Sequence, residues 1–356
     1  MNGVIIVDKP AGWTSHDVVN RMRRILGQRS VGHLGTLDPL ATGVLPLVVG
    51  NLTRLAQFYA ASEKTYEGVI RFGFATTTYD ADGDPVDRSP TAAADLSEPG
   101  SPLPTLDQLQ PLAGRFVGVI QQMPPPFSAK KIHGVPAYKL ARKHKDVDLK
   151  PVQVEIREFA ITSVENDRAH FRARVASGTY MRSVAHDLGQ SLGCGAHLES
   201  LRRTCVAEFD LSQAHTLEEI EIHMNDCHSD RSLPFPQEKA SAVEEPAFPG
   251  SGETGDQATA SSIEELFVHP RQLLPDLPCV TADEPTAARI RNGRPVNLPE
   301  LSRARHVKVF ANQTQLIAIA TRVAGSLFHA KIVFPACREA SGTISAMPGN
   351  SGEGER

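Results

Sequence analysis

Apolar and polar positions in the first two hundred residues follow two different periods. Residues 3–7 form a short apolar run that predicts a strand. Val18, Val19, Met22, Ile25 and Leu26 then recur at the three- and four-residue spacing of one helix face. Thr14 stands ahead of that stripe with Asp17 three positions on, which matches a capping box, and Gly27 suits the helix end. Arg21, Arg23 and Arg24 fall outside the stripe, where a solvated charged face accounts for them. Residues 66–73 read as a strand, as do residues 171–175, where Phe171, Ala173 and Val175 alternate with Arg172 and Arg174. Beyond Gly178 a helix is predicted from Arg182 to Leu192, closed by Gly193. Strands and helices are therefore mixed through this part of the chain.

Between residues 223 and 262 neither period is sustained. Ser, Pro, Gly, Glu and Ala dominate there, leaving little apolar surface to offset the entropy of ordering, and a flexible tether is predicted. Residues 88–104 read as a loop insertion, and the stretch after Pro335 as a disordered tail. Short β-like runs at 306–310, 315–320 and 327–333 predict a small barrel or sandwich, preceded by a helix near 287–292. The organisation expected is a first domain over 1–213, an acidic disordered linker over 214–264, a small β domain over 265–335 and a flexible tail over 336–356.

Charge sharpens that division. The 356 residues carry a formal net charge of −4, but residues 211–265 hold 12 acidic and 2 basic side chains. The flanking parts are mildly basic and permit a polyanionic ligand without demanding one. No apolar run approaches membrane-spanning length, and the opening apolar stretch soon meets Asp8 and Lys9, unlike a secretory or transit peptide. A cytoplasmic protein with no membrane association is expected. Cys194, Cys205, Cys227, Cys279 and Cys337 are odd in number and scattered, which favours free thiols. Cys194 and His197 supply half of a metal-ligand pattern with no second pair, so no metal site is expected.

Residues 32–46 read GHLGTLDPLATGVLP, in which three glycines and two prolines predict a tight, irregular path. Asp38, between Leu37 and Pro39, is presented as a site residue is, on a loop stiffened by its scaffold. A turn in which Asp38 merely caps backbone donors fits the same spacing. The segment lacks the Gly-Lys-Ser/Thr ending of a P-loop, and no Gly-x-Gly-x-x-Gly occurs.

This string resembles the signature of the bacterial tRNA pseudouridine-55 synthase (TruB) family, whose catalytic aspartate matches Asp38. Four further blocks resemble that family in the same order: DKPAGWTSHDVV from Asp8, KTYEGVIRFGFATTTYDADG from Lys64, PPPFSAKKIHGVPAYKLAR from Pro124, and SGTYMRSVAHDLGQSLGCGAHLESLRR from Ser177. RIRNGRPVNL from Arg289 and SLFHAKIVF from Ser326 resemble the C-terminal PUA-like domain of longer members. Where the family often has Cys-Ser-Lys-Gly before its Thr-Tyr pair, this chain has Val175-Ala176-Ser177-Gly178.

The resemblance implies an α+β pseudouridine synthase fold, with a central mixed, mainly antiparallel sheet flanked by helices, plus a small C-terminal PUA-like β-barrel domain. It implies conversion of a uridine in the T-arm loop of tRNA, position 55, to pseudouridine, without a cofactor. Asp38 would act at C1′ of the ribose, Arg182 would pair with it and fix its direction, and Tyr66 would stack on the extruded base. Tyr180 and Leu201 would line the pocket, and His33 would help hold the rearranged loop. Lys130, Lys131, Arg202 and Arg203 would meet phosphates. For Tyr66, Tyr180 and Leu201 a place in the core fits the residue type as well, and for the basic residues a solubilising surface charge does. The implied partner is a tRNA T-arm stem-loop, with a monomeric protein and no obligatory protein partner. Three alternatives stay open: a non-catalytic tRNA-folding protein of the same fold, a synthase acting on another RNA (guide-dependent, for example), and, more distantly, a hydrolase using Asp38, His33 and Ser30.

Overall fold

The opening apolar run becomes β1 (Gly3–Lys9), and the stripe after it becomes α1 (Ser15–Ile25). In this computed structural model, residues 1–86, 103–128, 130–132, 135–136, 149–229, 263–300 and 302–335 are described. The capping box forms as read: the Asp17 amide donates to Thr14 Oγ1 and the Thr14 amide to Asp17 Oδ2, at 3.1 and 2.9 Å. Val18, Val19 and Met22 turn into the core.

The chain continues through β2 (Val31–His33), β3 (Thr42–Val49), α2 (Ala56–Tyr59), β4 (Lys64–Phe72), α3 (Leu106–Gly114) and β5 (Gly118–Gln122). A two-stranded piece, β6 (Lys131–Ile132) with β7 (Val135–Pro136), is followed by β8 (Val152–Glu165) and β9 (Arg168–Val175). Then come α4 (Met181–Leu192), β10 (Ala196–Val206), β11 (Phe209–Asp210), β12 (Ala214–His215) and α5 (Leu217–Ser229). Ten strands share one sheet in the order β12-β1-β3-β10-β4-β9-β8-β5, with β11 beside β10 and β2 beside β3. Among the described strands of this sheet only β1–β12 and β3–β10 pair in parallel, so it is mixed and mainly antiparallel, as expected. Its central strands carry Ile70, Phe159, Phe171 and Leu198 into one apolar core with Val184 and Leu188 of α4.

Two expectations need correction. Residues 214–229 do not open a disordered linker; they form β12 and α5. The acidic composition hid an apolar stripe, Leu217, Ile220 and Met224, all buried. Thr216 and Glu219 cap the helix reciprocally, and Glu221 pairs with Arg21 of α1 at 2.6 Å. Likewise, residues 265–276 belong to the first unit, which spans Gly3–Asp276. Phe267 bridges Ile5, the Val268 amide donates to Val4 O at 2.8 Å, and Leu266 and Leu273 are buried. The remainder of the expected linker (230–262), most of the 88–104 insertion and the tail from 336 lie outside the described residues.

The irregular path read for residues 32–46 is shorter than expected, because only residues 34–41 lie between β2 and β3. Gly43 and Pro46 punctuate the sequence like a turn yet sit inside β3. β8 and β10 escaped periodicity because each carries two register shifts that reset the alternation of faces.

The second unit runs from Leu277 and includes Met1–Asn2. Its elements are β13 (Cys279–Thr281), α6 (Glu284–Arg291), β14 (Val296–Asn297), β15 (His306–Phe310), β16 (Leu316–Ala324) and β17 (Leu327–Val333). They make a five-stranded sheet in the order β13-β15-β16-β17-β14, closed over a core that includes Val280, Ile290, Val307, Ile317 and Phe328. Asp283 caps α6 by accepting from the Thr286 amide at 3.0 Å. Among the described residues, no helix is long and apolar enough to cross a membrane.

Candidate active site

The loop carrying Asp38 is gripped through its backbone from three directions. Ser15, in the first turn of α1, accepts from the Leu37 amide at 2.8 Å and returns its hydroxyl to Leu37 O at 3.1 Å. Lys9, at the end of β1, donates from Nζ to the carbonyls of Pro10, Trp13 and Pro39. Arg203 of β10 donates from Nε to Val44 O, from Nη1 to Thr36 O and from Nη2 to Gly35 O, at 2.8, 3.2 and 3.1 Å. Both cations are fully buried. Burial pulls the Lys9 ammonium down to about 8, with Asp38 opposing the shift and Arg203 adding to it.

Arg203 therefore cannot meet phosphate, contrary to expectation; its charge is spent on main-chain oxygens inside the fold. The approach is close. Gly43 holds φ at +98°, and a Cβ there would lie 2.2 Å from Arg203 O, so no other residue fits.

Asp38 meets Arg182 from the first turn of α4, with Nε 2.9 Å from Oδ2. The Nε–H is not aimed along that contact, so it is an ion pair more than a formed hydrogen bond. The two side chains differ in access: Arg182 is 6% exposed and Asp38 38%. The guanidinium is held from behind by Asp80, 3.4 Å from Nη1, and by the carbonyls of Thr78 and Phe127. Asp80 accepts from the Thr78 hydroxyl, and burial raises its pKa against the pull of Thr78 and Arg182. A buried arginine between two carboxylates thus presents one of them to solvent and keeps the other inside.

Tyr180, just before α4, is locked by Gln122 at the end of β5. The Tyr180 amide donates to Gln122 Oε1 at 2.9 Å, and Gln122 Nε2 donates to Tyr180 O at 3.0 Å. Burial raises the Tyr180 phenol, the neighbouring Ser128 hydroxyl opposes that shift, and Asp38 adds to it. Burial, then the charges of Arg203 and His16, hold the His33 imidazole below its ordinary value; its Nδ1 accepts from the Gly35 amide at 3.3 Å.

These groups surround one cavity of about 420 Å³. His33, Asp38, Tyr66, Tyr180, Arg182 and Leu201, all singled out in the sequence, line it. Lys130 does not: it bonds Lys150 O at 3.0 Å. The side chain of Lys131 lies outside the described residues. Arg202 pairs with Asp8 at 2.7 Å and lies outside this cavity, in a second groove of about 810 Å³ that Glu67, Arg172 and Glu199 also line. Sequence reasoning missed Lys9, Lys64, Asp80 and Gln122. Lys64 and Asp80 lie within the quoted block from Lys64, but only their neighbour Tyr66 was given a role there. Gln122 had no local signal. Among the described residues, no three His, Cys, Asp or Glu side chains are grouped to hold a metal ion.

Known proteins share both sequence and fold with this chain. The TruB family pseudouridylate synthase N-terminal domain matches residues 23–181, and the tRNA pseudouridylate synthase B C-terminal domain matches 182–235. The tRNA pseudouridine synthase B of Solibacter usitatus is 44% identical over 337 residues, covering 94% of this chain and all of that protein. The same enzyme of Thermobifida fusca is 48% identical over 229 residues, 62% of this chain and 74% of that one. Among solved structures, an H/ACA RNP bound to a substrate RNA containing 2′-deoxyuridine has a chain with TM-score 0.62 and 21% identity, covering 94% of this chain and 85% of that one. A Cbf5-Nop10-Gar1 complex gives 0.59 and 23%, with 91% and 79% covered. At these identities the likeness is one of fold.

Proposed function

This chain belongs to the TruB family of pseudouridylate synthases, and from that premise we propose that it isomerises the T-arm loop uridine of tRNA, position 55, with Asp38 as the catalytic carboxylate. The protein is a tRNA pseudouridine synthase, an isomerase. The reaction breaks the N1–C1′ bond, turns the uracil and joins C5 to C1′. The C5 hydrogen leaves as a proton and N1 gains one, so atoms and electrons balance within the nucleotide.

The observation that carries the reading is the partly exposed carboxylate of Asp38, fixed by a buried Arg182 at the wall of a cavity also lined by Tyr59, Tyr66 and Tyr180. A carboxylate so placed can attack C1′ or stabilise positive charge there, and it leaves readily afterwards. Arg182 and Asp80 set its direction without blocking its free face. Tyr66 stacks on the base, and Tyr180 and Leu201 wall the pocket. His33, which lines the cavity, holds the rearranged loop. The uridine must leave its stack to reach Asp38, at a few kcal/mol offset by stacking in the pocket. The enzyme works on tRNA as a monomer in the cytoplasm, without a guide RNA or partner protein, and a T-arm stem-loop suffices because it reads a folded loop.

The test is tritium release from a tRNA transcript labelled at uracil C5, comparing the unaltered protein with Asp38→Asn. Release by the unaltered protein alone, mapped to the T-loop uridine, is expected. If neither released tritium while both bound the transcript, the chemistry would be wrong and a tRNA-folding role would replace it.

A further inference from the structure

A uridine cannot bring C1′ to Asp38 without bringing its ribose, and the ribose carries a phosphodiester on each side. The cavity falls within the roughly 300–1,000 Å³ of small-molecule sites, which leaves room for sugar as well as base. Two anionic linkages then come within a sugar's width of an anionic carboxylate. Some cation must face them.

An inventory of donors narrows the choice. Nε, Nη1 and Nη2 of Arg203 are all spent on main-chain carbonyls. The Lys9 ammonium has three protons and three carbonyl partners. Arg182 is committed to two carboxylates and two carbonyls. His33 is held below its ordinary value and gives Nδ1 to the Gly35 amide.

Lys64 differs. It begins β4, lines the cavity, and passes within 3.6 Å of where a Cβ on Gly35 would stand. Its ammonium makes one bond, to Ser62 O at 2.6 Å, which leaves two protons free, and among the described residues no carboxylate pairs with it. An amphipathic side chain held at a cavity wall with free ammonium protons is built to meet an anion.

We propose that Lys64 is the phosphate-binding residue of this cavity, its ammonium taking a phosphodiester oxygen next to the extruded uridine. This rests on the function proposed above. Burial and the charge of Arg203 bring the ammonium to about 8, so it is charged at neutral pH, and an arriving phosphate reinforces that charge.

The test uses the full chain and a T-arm stem-loop RNA, with binding measured across a salt series for the unaltered protein, Lys64→Met and Lys64→Arg. Loss of one phosphate contact should flatten the slope of log affinity against log salt by about 0.7–0.9 in Lys64→Met and weaken binding about tenfold, with Lys64→Arg close to the unaltered protein. The same RNA is then made with an uncharged methylphosphonate at each linkage flanking the target. One of the two should weaken the unaltered protein about tenfold and leave Lys64→Met unaffected. Parallel salt slopes, or a neutral linkage that weakens both proteins equally, would overturn the assignment while leaving the proposed function standing. Failure of the unaltered protein to bind or convert the stem-loop would remove both. Should Lys64→Met not fold, Lys64→Gln makes the same comparison. The linkage scan on the unaltered protein also decides, since neutral linkages without effect at both positions contradict it.

Discussion

Replacing Arg203 by Met tests whether the loop that carries Asp38 is held by a buried cation. The change deletes three hydrogen bonds from a charged donor, to the carbonyls of Gly35, Thr36 and Val44, at 2.8 to 3.2 Å. Bonds of this type contribute roughly 1.5–3 kcal/mol each, and a buried carbonyl left without a donor costs about 1–3 kcal/mol. Against this, Met relieves the burial of a guanidinium, which costs several kcal/mol even in a well-bonded site. A net loss of about 2–4 kcal/mol is expected, read as a lower urea midpoint. The accepting carbonyls lie on both sides of Asp38 in the chain, so part of the loss should reach the carboxylate's placement. If half is transmitted, kcat falls by about 5–30-fold, at roughly 1.4 kcal/mol per tenfold. Lys should recover only part, because one ammonium cannot span carbonyls from Gly35 to Val44. Tritium release under saturating tRNA gives kcat, and the salt dependence of binding gives the control. A variant as stable as the original, with unchanged kcat and a flatter salt slope, would refute the reasoning and make Arg203 a phosphate ligand after all.

Three further outcomes follow from the same geometry. Asp80→Asn should leave RNA affinity within about threefold while lowering kcat by roughly 10–100-fold, because Arg182 loses the carboxylate behind it; an unchanged kcat would mean that the arginine is oriented without Asp80, by the carbonyls of Thr78 and Phe127. Gly43→Ala should destabilise the protein by more than about 3 kcal/mol, since it combines a left-handed backbone with a 2.2 Å clash against Arg203 O; a melting temperature within a degree of the original would contradict that geometry. Lys64 deprotonates above about pH 8 in the free protein whereas phosphate binds its charged form, so RNA affinity should fall as pH rises through that value; Lys64→Arg should flatten the fall, and identical profiles would exclude Lys64 as its source.

What was legible in the sequence was local. Thr14, Asp17 and the stripe from Val18 to Met22 lie within one helix, so spacing alone located α1 and its cap. Gly193, in the left-handed conformation, closed α4 where the reading placed it. β15 and β17 followed from short runs bounded by turn residues. Asp38 was singled out as a candidate by the family signature, since the stiff residues around it fitted a capping turn as well. Other features depend on contacts between distant positions. Arg203 reaches Val44 across 159 positions, Gln122 reaches Tyr180 across 58, and Arg182 reaches Thr78 across 104. No periodicity marks such pairs, because a buried polar group is defined by what satisfies it, and its partner comes from another strand. The same cause explains α5: its acidic residues read as linker until Arg21 and the core gave Glu221 and the apolar stripe somewhere to go. The sequence by itself determined the elements whose period is local and singled out Asp38 as the candidate carboxylate. Only the tertiary structure decided which cations hold the loop and which one still has protons to offer a ligand.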